Sequence, residues 1–269
     1  MTNENQYLNL LKSVIQNGTW HDDRTGTGTY SLFGGQMRFD LREGFPILTT
    51  KKVFWRGVVE ELLWMLRGES NVKSLQAKGI HIWDEWADRY GDLGPVYGAQ
   101  WRNWNSADGP AIDQIKELVD GLVRNPNSRR HIVTAWNPEH VPSMALPPCH
   151  CFFQCKVEDN KYLSLQLYQR SCDMLLGVPF NISSYSLLTH ILADCTGLVA
   201  KEFIHTVGDY HVYSNHVEQC KEQLSRQPKQ APTLIIQQNN NTYPWEYKFD
   251  DFGLNGYDPH PAIKAEVSV

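Results

Sequence analysis

Apolar positions near the start of the chain recur with helical spacing. Tyr7, Leu10, Leu11, Val14 and Ile15 fall on one face, and Gly18 follows where a C-cap glycine belongs. The next stretch, "HDDRTGTGTYSLFGGQMRF", is punctuated by glycines and predicts a loop running into a strand pair. "FWRGVVEELLWMLRGES" is apolar on most sides and predicts a buried helix carrying Glu60 and Glu61. "WADRYGDLGPVYGAQWRNW", rich in glycine and aromatics, reads as irregular. A helix is expected near residues 112 to 123, then a strand in "HIVTAW".

Two alternating segments follow. In "CHCFFQCKV", period two puts Cys149, Cys151, Phe153, Cys155 and Val157 on one face, with His150, Phe152, Gln154 and Lys156 on the other. In "YLSLQLYQR", Leu163, Leu165 and Leu167 oppose Ser164, Gln166, Tyr168 and Arg170. A helix is expected after Asn181, a last long strand in "TLIIQQ", and a polar loop at 237–241. With no internal repeat or linker, the pattern predicts one α/β domain over residues 1–269.

Composition adds bounds. The chain has 269 residues, 41% hydrophobic and 20% charged, as in ordinary globular proteins. A net charge of −5 argues against broad binding to nucleic acid or anionic membrane, while leaving room for a local basic pocket. The start "MTNENQYLNL" lacks the basic and apolar segments of a signal peptide, and no apolar run is long enough to span a membrane. Six cysteines in that setting read as reduced thiols of a cytoplasmic protein.

"ALPPCHCFFQC" packs three of those cysteines together. Zinc sites use tight Cys-x-x-Cys turns with a second ligand pair, which Cys172, Cys195 and Cys220 do not supply, so no metal is expected. Cys151 and Cys155 read as core filler. Cys149 stands at the strand's mouth after Pro147 and Pro148, where it can be either core or a nucleophile. The second role requires nearby cations to lower its pKa.

Cations are available. Arg24 lies in "DRTGTGT", which is either a simple hairpin turn or an anion loop. Arg129 and Arg130 are adjacent, so on a strand they would diverge; they sit in a loop or serve a target outside their own subunit. Arg170 beside Ser171 joins an arginine fork to a hydroxyl, a pair suited to a phosphate monoester. Asn181 is either an N-cap or an amide that reads a pyrimidine edge. His211 and Tyr213, two apart on an expected strand, are structural polar tips or sugar ligands. Glu61, Trp83, Asp84, Trp86 and Tyr97 provide a buried carboxylate, flat walls and a phenol, and some of the nine tryptophans could stack on a flat ligand.

With those residues assembled, the chain closely resembles the thymidylate synthase family. The segments that carry the resemblance are "DRTGTGT", "ELLWMLRG", "IWDEWAD", "GDLGPVYGAQWR", "SRRHIVTAWNP", "MALPPCH", "QLYQRSCDMLLGVPFNISSY" and "GYDPHPAIK", in family order from about residue 20 to the C-terminus. The resemblance implies a mixed α/β fold: a twisted, mixed β-sheet with flanking helices, packed face to face with a second copy in a homodimer. It implies reductive methylation of deoxyuridine monophosphate (dUMP), with 5,10-methylenetetrahydrofolate as donor of carbon and hydride. By the same resemblance Cys149 is the nucleophile at uracil carbon 6. Asn181 and Glu61 stabilise charge on the ring, and Tyr97 positions the water or base that removes a proton. Arg24, Arg170, Ser171 and Asp173 belong to the dUMP site with His211 and Tyr213. Arg129 and Arg130 are lent by the other subunit. Trp83, Asp173, Gly177, Phe180 and Ser268 surround the folate, under a C-terminal lid. Phe54, Tyr210 and Ser268 depart from the bacterial pattern, which touches folate affinity and lid packing.

Two rivals remain at this level. A pyrimidine hydroxymethylase of the same superfamily would let water intercept the methylene group; its cytosine-modifying relatives carry aspartate at the position of Asn181. A catalytically idle nucleotide- or RNA-binding regulator would not need the set Cys149, Glu61, Tyr97 and Asn181.

Overall fold

The protein is described by a computed structural model covering residues 3–23, 25–105, 109–237 and 240–267. The amphipathic start forms α1, Glu4–Asn17, burying Tyr7, Leu8, Leu11 and Val14. Gly18 closes it with its amide on the Val14 carbonyl, in extended rather than left-handed backbone, so the chain passes straight into β1, Thr19–His21. Where a strand pair is expected after the glycine-rich loop, one strand forms, β2, Thr29–Asp40, running in register along β6, Val199–Tyr213. α2, Trp55–Leu66, buries ten of its side chains or backbone positions, Glu60 and Glu61 among them.

The glycine-rich middle is less irregular than its composition predicts. After the short α3, Lys73–Gln76, and a 3-10 turn at Asp84–Trp86 comes α4, Tyr97–Arg102. Gly98 explains the exception: a Cβ there would lie 2.8 Å from the carbonyls of Met65 and Glu69, so glycine lets α4 lie directly on the end of α2. α5, Gln114–Arg124, leads to β3, Ile132–Thr134. β4, His150–Glu158, and β5, Tyr162–Asp173, are the two alternating segments.

α6, Gly177–Thr196, begins before Asn181 rather than after it, with Pro179 in the first turn, where its missing N–H leaves no helical bond unmade. Asp173 Oδ1 folds the turn before the helix by taking the amides of Leu175 and Leu176 at 2.9 and 3.3 Å, and no side chain caps the helix itself. Asn181 is therefore no N-cap. α6 ends on left-handed Gly197, with Leu198 N–H returning to the Ala193 carbonyl at 2.8 Å. After β6 and α7, Val217–Ser225, the expected last long strand is only β7, Thr233–Ile236. It pairs with β8, Phe252–Asn255, in a separate ladder where no residue of β7 is fully buried.

Six strands form one mixed sheet in the order β1-β2-β6-β5-β4-β3. Only β5 and β6 run parallel, as a crossover through α6 requires. α6 is buried along most of its length and, with α1, covers the sheet face of Phe39, Phe153, Leu165, Leu167 and Phe203, while α2 packs on α6. The opposite face leaves Ile132 and Phe152 exposed. The catalytic-type side chains collect at one end of β4 and β5 and the start of α6.

Candidate active site

β4 and β5 set the cysteine run beside Arg170. Their ladder pairs His150 with Gln169 but Phe152 with Tyr168, so Cys151 is an extra residue, a β-bulge. Beyond the bulge Phe153, Cys155 and Val157 are buried as expected. Before it the alternation is reset. His150 shares the buried side with Phe153 and lies against Tyr97 and Tyr185, with ring centroids 5.1 and 5.3 Å away. The expectation that His150 faces away fails for this reason. Burial lowers its pKa to about 4, so the ring is neutral at ordinary pH. Cys149 leaves the row of Phe153 and Cys155, while Cys151 stays buried with its thiol 3.6 Å from the Cys149 carbonyl.

Cys149 is partly exposed and held by its backbone. Its amide donates to the Tyr97 hydroxyl at 2.9 Å, and its carbonyl accepts the Arg170 amide at 2.9 Å. The Arg170 guanidinium donates to the carbonyls of Pro148 (2.9 Å) and Pro147 (2.8 Å) and lies over the Trp136 ring. The double proline thus presents two acceptors that aim a fixed positive charge at the thiol's neighbourhood. Burial pushes the Cys149 thiol above its ordinary pKa; Arg170 and a hydrogen bond with Ser171 pull it down, and Asp173 raises it again. Burial wins. Among the described residues of one chain, burial outweighs the positive charge that faces the thiol.

The other expected cations explain the shortfall. Arg24 lies outside the described residues, as does Ser268. Arg129 and Arg130 sit exposed in the loop before β3, and among the described residues neither guanidinium has an ion pair. Arg130 lines a groove of about 510 Å³ with Gly121, Arg124 and His131, away from Cys149.

Asn181, in the second turn of α6, faces β5. Its Oδ1 accepts from Gln169 Nε2 at 3.0 Å, and Gln169 Oε1 meets His205 Nε2 at 2.8 Å. Burial pushes His205 down to about 3, so this ring is also neutral, and Nε2 carries the hydrogen that an amide oxygen can accept. The relay fixes which way the Asn181 amide points and leaves its NH₂ to donate. Sequence reasoning missed Gln169; the signal was a polar residue continuing the Leu163, Leu165, Leu167 row.

Glu61 is buried on α2 and accepts the Trp83 indole N–H at 2.7 Å. Desolvation raises its carboxyl to about 7, against that one hydrogen bond. Trp83 packs 6.0 Å from the Tyr97 ring, so α2, α4 and the turn between them converge on Cys149 from one side. On the other side β6 pairs Asp173 with His211. His211 Nδ1 lies 2.8 Å from Asp209 Oδ1, and its ring meets Tyr213 edge-on at 5.4 Å. Tyr210 is buried on the same strand. Lys51, also missed, is buried close to Asp173 and donates to the Leu175 carbonyl; burial lowers its pKa to about 8.

The residues expected around folate suit a flat, polar-edged ring. Asp173 Oδ2 makes no hydrogen bond among the described residues, leaving an acceptor free. A Cβ on Gly177 would come within 3.7 Å of Asp173 Cβ and 3.8 Å of Asn181 Oδ1, so glycine keeps the space between them open. Phe180 flanks Gly57 as an apolar wall, and half-exposed Phe54, which is not among the expected folate contacts, lies against the same glycine. Among the described residues no three of His, Cys, Asp and Glu gather as a metal site, and no described helix is long and apolar enough to cross a membrane.

The family model described as thymidylate synthase matches residues 5–269. The chain belongs to the thymidylate synthase family. Membership extends over the whole described fold, and implies a methyltransferase-type enzyme of nucleotide biosynthesis in a family that uses methylenetetrahydrofolate.

Proposed function

We propose that residues 1–269 form a single catalytic domain, a cytoplasmic thymidylate synthase converting dUMP to dTMP. When bound, 5,10-methylenetetrahydrofolate supplies the carbon and the hydride and leaves as dihydrofolate. The observation that supports the reading is the surroundings of Cys149: a partly exposed thiol flanked by Arg170 and Ser171, with the Asn181 amide beside the neighbouring His150 and its orientation set by Gln169 and His205.

On this reading the Cys149 thiolate adds to carbon 6 of uracil, forming a carbon–sulfur bond and pushing electron density to carbon 5 and the ring oxygen. The Asn181 NH₂ donates to that oxygen, and Glu61, poised near neutrality, exchanges protons with it through water. Tyr97 holds the Cys149 amide and leaves its own O–H to position the water or base that takes the carbon 5 proton. Arg24, Arg170 and Ser171 hold the phosphate, His211 and Tyr213 the ribose. Trp83, Asp173, Gly177, Phe180 and Ser268 hold the folate.

We further infer a homodimer in which Arg129 and Arg130 reach the partner's phosphate site. Their exposure without ion pairs and the uncovered apolar sheet face of Ile132 and Phe152 support it.

A hydroxymethylase is the nearest alternative, and an idle nucleotide- or RNA-binding protein is the remote one. The test is to incubate the protein with dUMP and methylenetetrahydrofolate and identify both products. Thymidylate with dihydrofolate is expected; hydroxymethyl-dUMP with tetrahydrofolate would select the hydroxymethylase. No turnover, with an RNA gel shift, would select the regulator.

A further inference from the structure

The turn that follows β6 does more than end the strand. Ser214 pins it to the glycine-rich loop, its amide on the Gly28 carbonyl (3.0 Å) and its hydroxyl on that of Thr27 (2.7 Å). His216, two residues on, is buried, and its ring meets Tyr213 edge-on at 5.7 Å. Tyr213 in turn meets His211, forming a row of three rings that starts at the Asp209 carboxylate. At the far end of the row, His216 Nε2 lies 2.7 Å from the backbone carbonyl of Glu266. A carbonyl only accepts, so Nε2 carries the hydrogen. Among the described residues Nδ1 is then a buried acceptor without a partner, an uncommon state in a folded protein.

Beside the packing of buried Ile263 and of Ala265 against the core, the Glu266 bond is the polar tie of the C-terminal segment. Upstream, the segment is tied by the His260 amide on the Thr49 carbonyl (2.7 Å) and by Arg226 Nη1 on the Pro261 carbonyl (2.6 Å). Among the described residues beyond Pro261, His216 to Glu266 is the single hydrogen bond.

We propose that His216 is a positioning residue that latches the C-terminal segment at Glu266 and couples the latch to nucleotide occupancy through Tyr213 and His211. The coupling rests on the reading of His211 and Tyr213 as ribose contacts; the latch does not. A ribose hydroxyl that draws on His211 or Tyr213 sets the ring against which His216 leans, and so sets the aim of its Nε2–H at the tail. Nucleotide binding thereby prepares the segment that closes over the second substrate.

Two substitutions separate the parts. His216→Phe keeps an aromatic ring against Tyr213 and removes the donor. His216→Gln keeps a donor at similar reach and removes the ring. Hydrogen exchange of the peptide 258–269, with and without dUMP, is the readout, and it needs no turnover. His216→Phe is expected to raise tail exchange about fivefold without nucleotide, the size of one neutral hydrogen bond. The KM for reduced folate should rise by a similar factor with dUMP affinity unchanged. His216→Gln is expected to keep resting protection and lose the extra protection that dUMP brings. Wild-type exchange in His216→Phe overturns the latch, and a full dUMP response in His216→Gln overturns the coupling. If wild-type protein binds no dUMP, the nucleotide reading falls, while the exchange of His216→Phe without nucleotide still decides the latch.

Discussion

Glu61 offers a stability test of the site that is independent of catalysis. Its carboxyl is buried, and desolvation moves its pKa from 4.5 to about 7. Between those values the native state binds a proton that the unfolded chain has released, so stability falls as pH rises through the window and is level above it. At about 1.36 kcal/mol per pH unit, the displacement corresponds to about 3 kcal/mol lost by pH 8. Glu61→Gln is neutral throughout and keeps the oxygen that accepts the Trp83 N–H. The variant should match wild type near pH 4.5 and exceed it by about 3 kcal/mol at pH 8. The neutral buried histidines slope the other way: His150 and His190, lowered to about 4, and His205, lowered to about 3, favour folding less as pH drops below the ordinary histidine value. They are common to both proteins and cancel in the difference. Urea denaturation of the pair from pH 4.5 to 8.5 measures it. A difference that is flat, or that shrinks as pH rises, would refute the assignment of Glu61 as a desolvated carboxyl. The stabilised variant should also turn over more slowly, since the strained group is the one the reaction uses.

Other expectations follow from the same geometry. Cys149→Ser should fold, bind dUMP and lose turnover, whereas Cys151→Ser should remain active; equal loss in both would remove Cys149 from its place as the nucleophile. Arg170→Lys loses the planar fork whose Nε and Nη2 reach the Pro148 and Pro147 carbonyls, and concentrates the charge on one nitrogen no longer held beside the thiol. Alkylation of Cys149 by iodoacetamide at pH 8 should slow, because the thiol pKa rises, and the KM for dUMP should increase about tenfold, the scale of a lost charge-assisted bond. Unchanged alkylation in a folded Arg170→Lys protein would mean that Arg170 does not bear on the thiol.

Where periodicity runs uninterrupted, the sequence pattern and the structure agree. The α1 face, the buried α2 and the Leu163, Leu165, Leu167 row are all local consequences of side-chain spacing. Disagreement appears where a long-range contact overrides spacing. Gly98 lets α4 form in a stretch whose composition suggests loop, because α2 lies against it. The Asp173 carboxylate ties the turn of Leu175 and Leu176, and α6 begins straight after it, ahead of Asn181. The bulge at Cys151 depends on how β4 aligns with β5, which the β4 sequence alone does not encode. It turns His150 inward and takes Cys149 out of the core row.

The charge state of Cys149 follows the same rule at larger scale. Among the described residues of one chain the thiol stays above its ordinary value, because burial outweighs Arg170 and Ser171. A nucleophile of that kind needs further positive charge before it can react. Arg129 and Arg130 carry that charge and leave it exposed, off the thiol of their own chain. On the homodimer reading, the adjacency that looked awkward in the sequence and the insufficiency of the single-chain site are one feature. The thiolate forms when the partner's arginines arrive, so a variant that disrupts the Ile132 and Phe152 face should lose Cys149 reactivity together with its dimer.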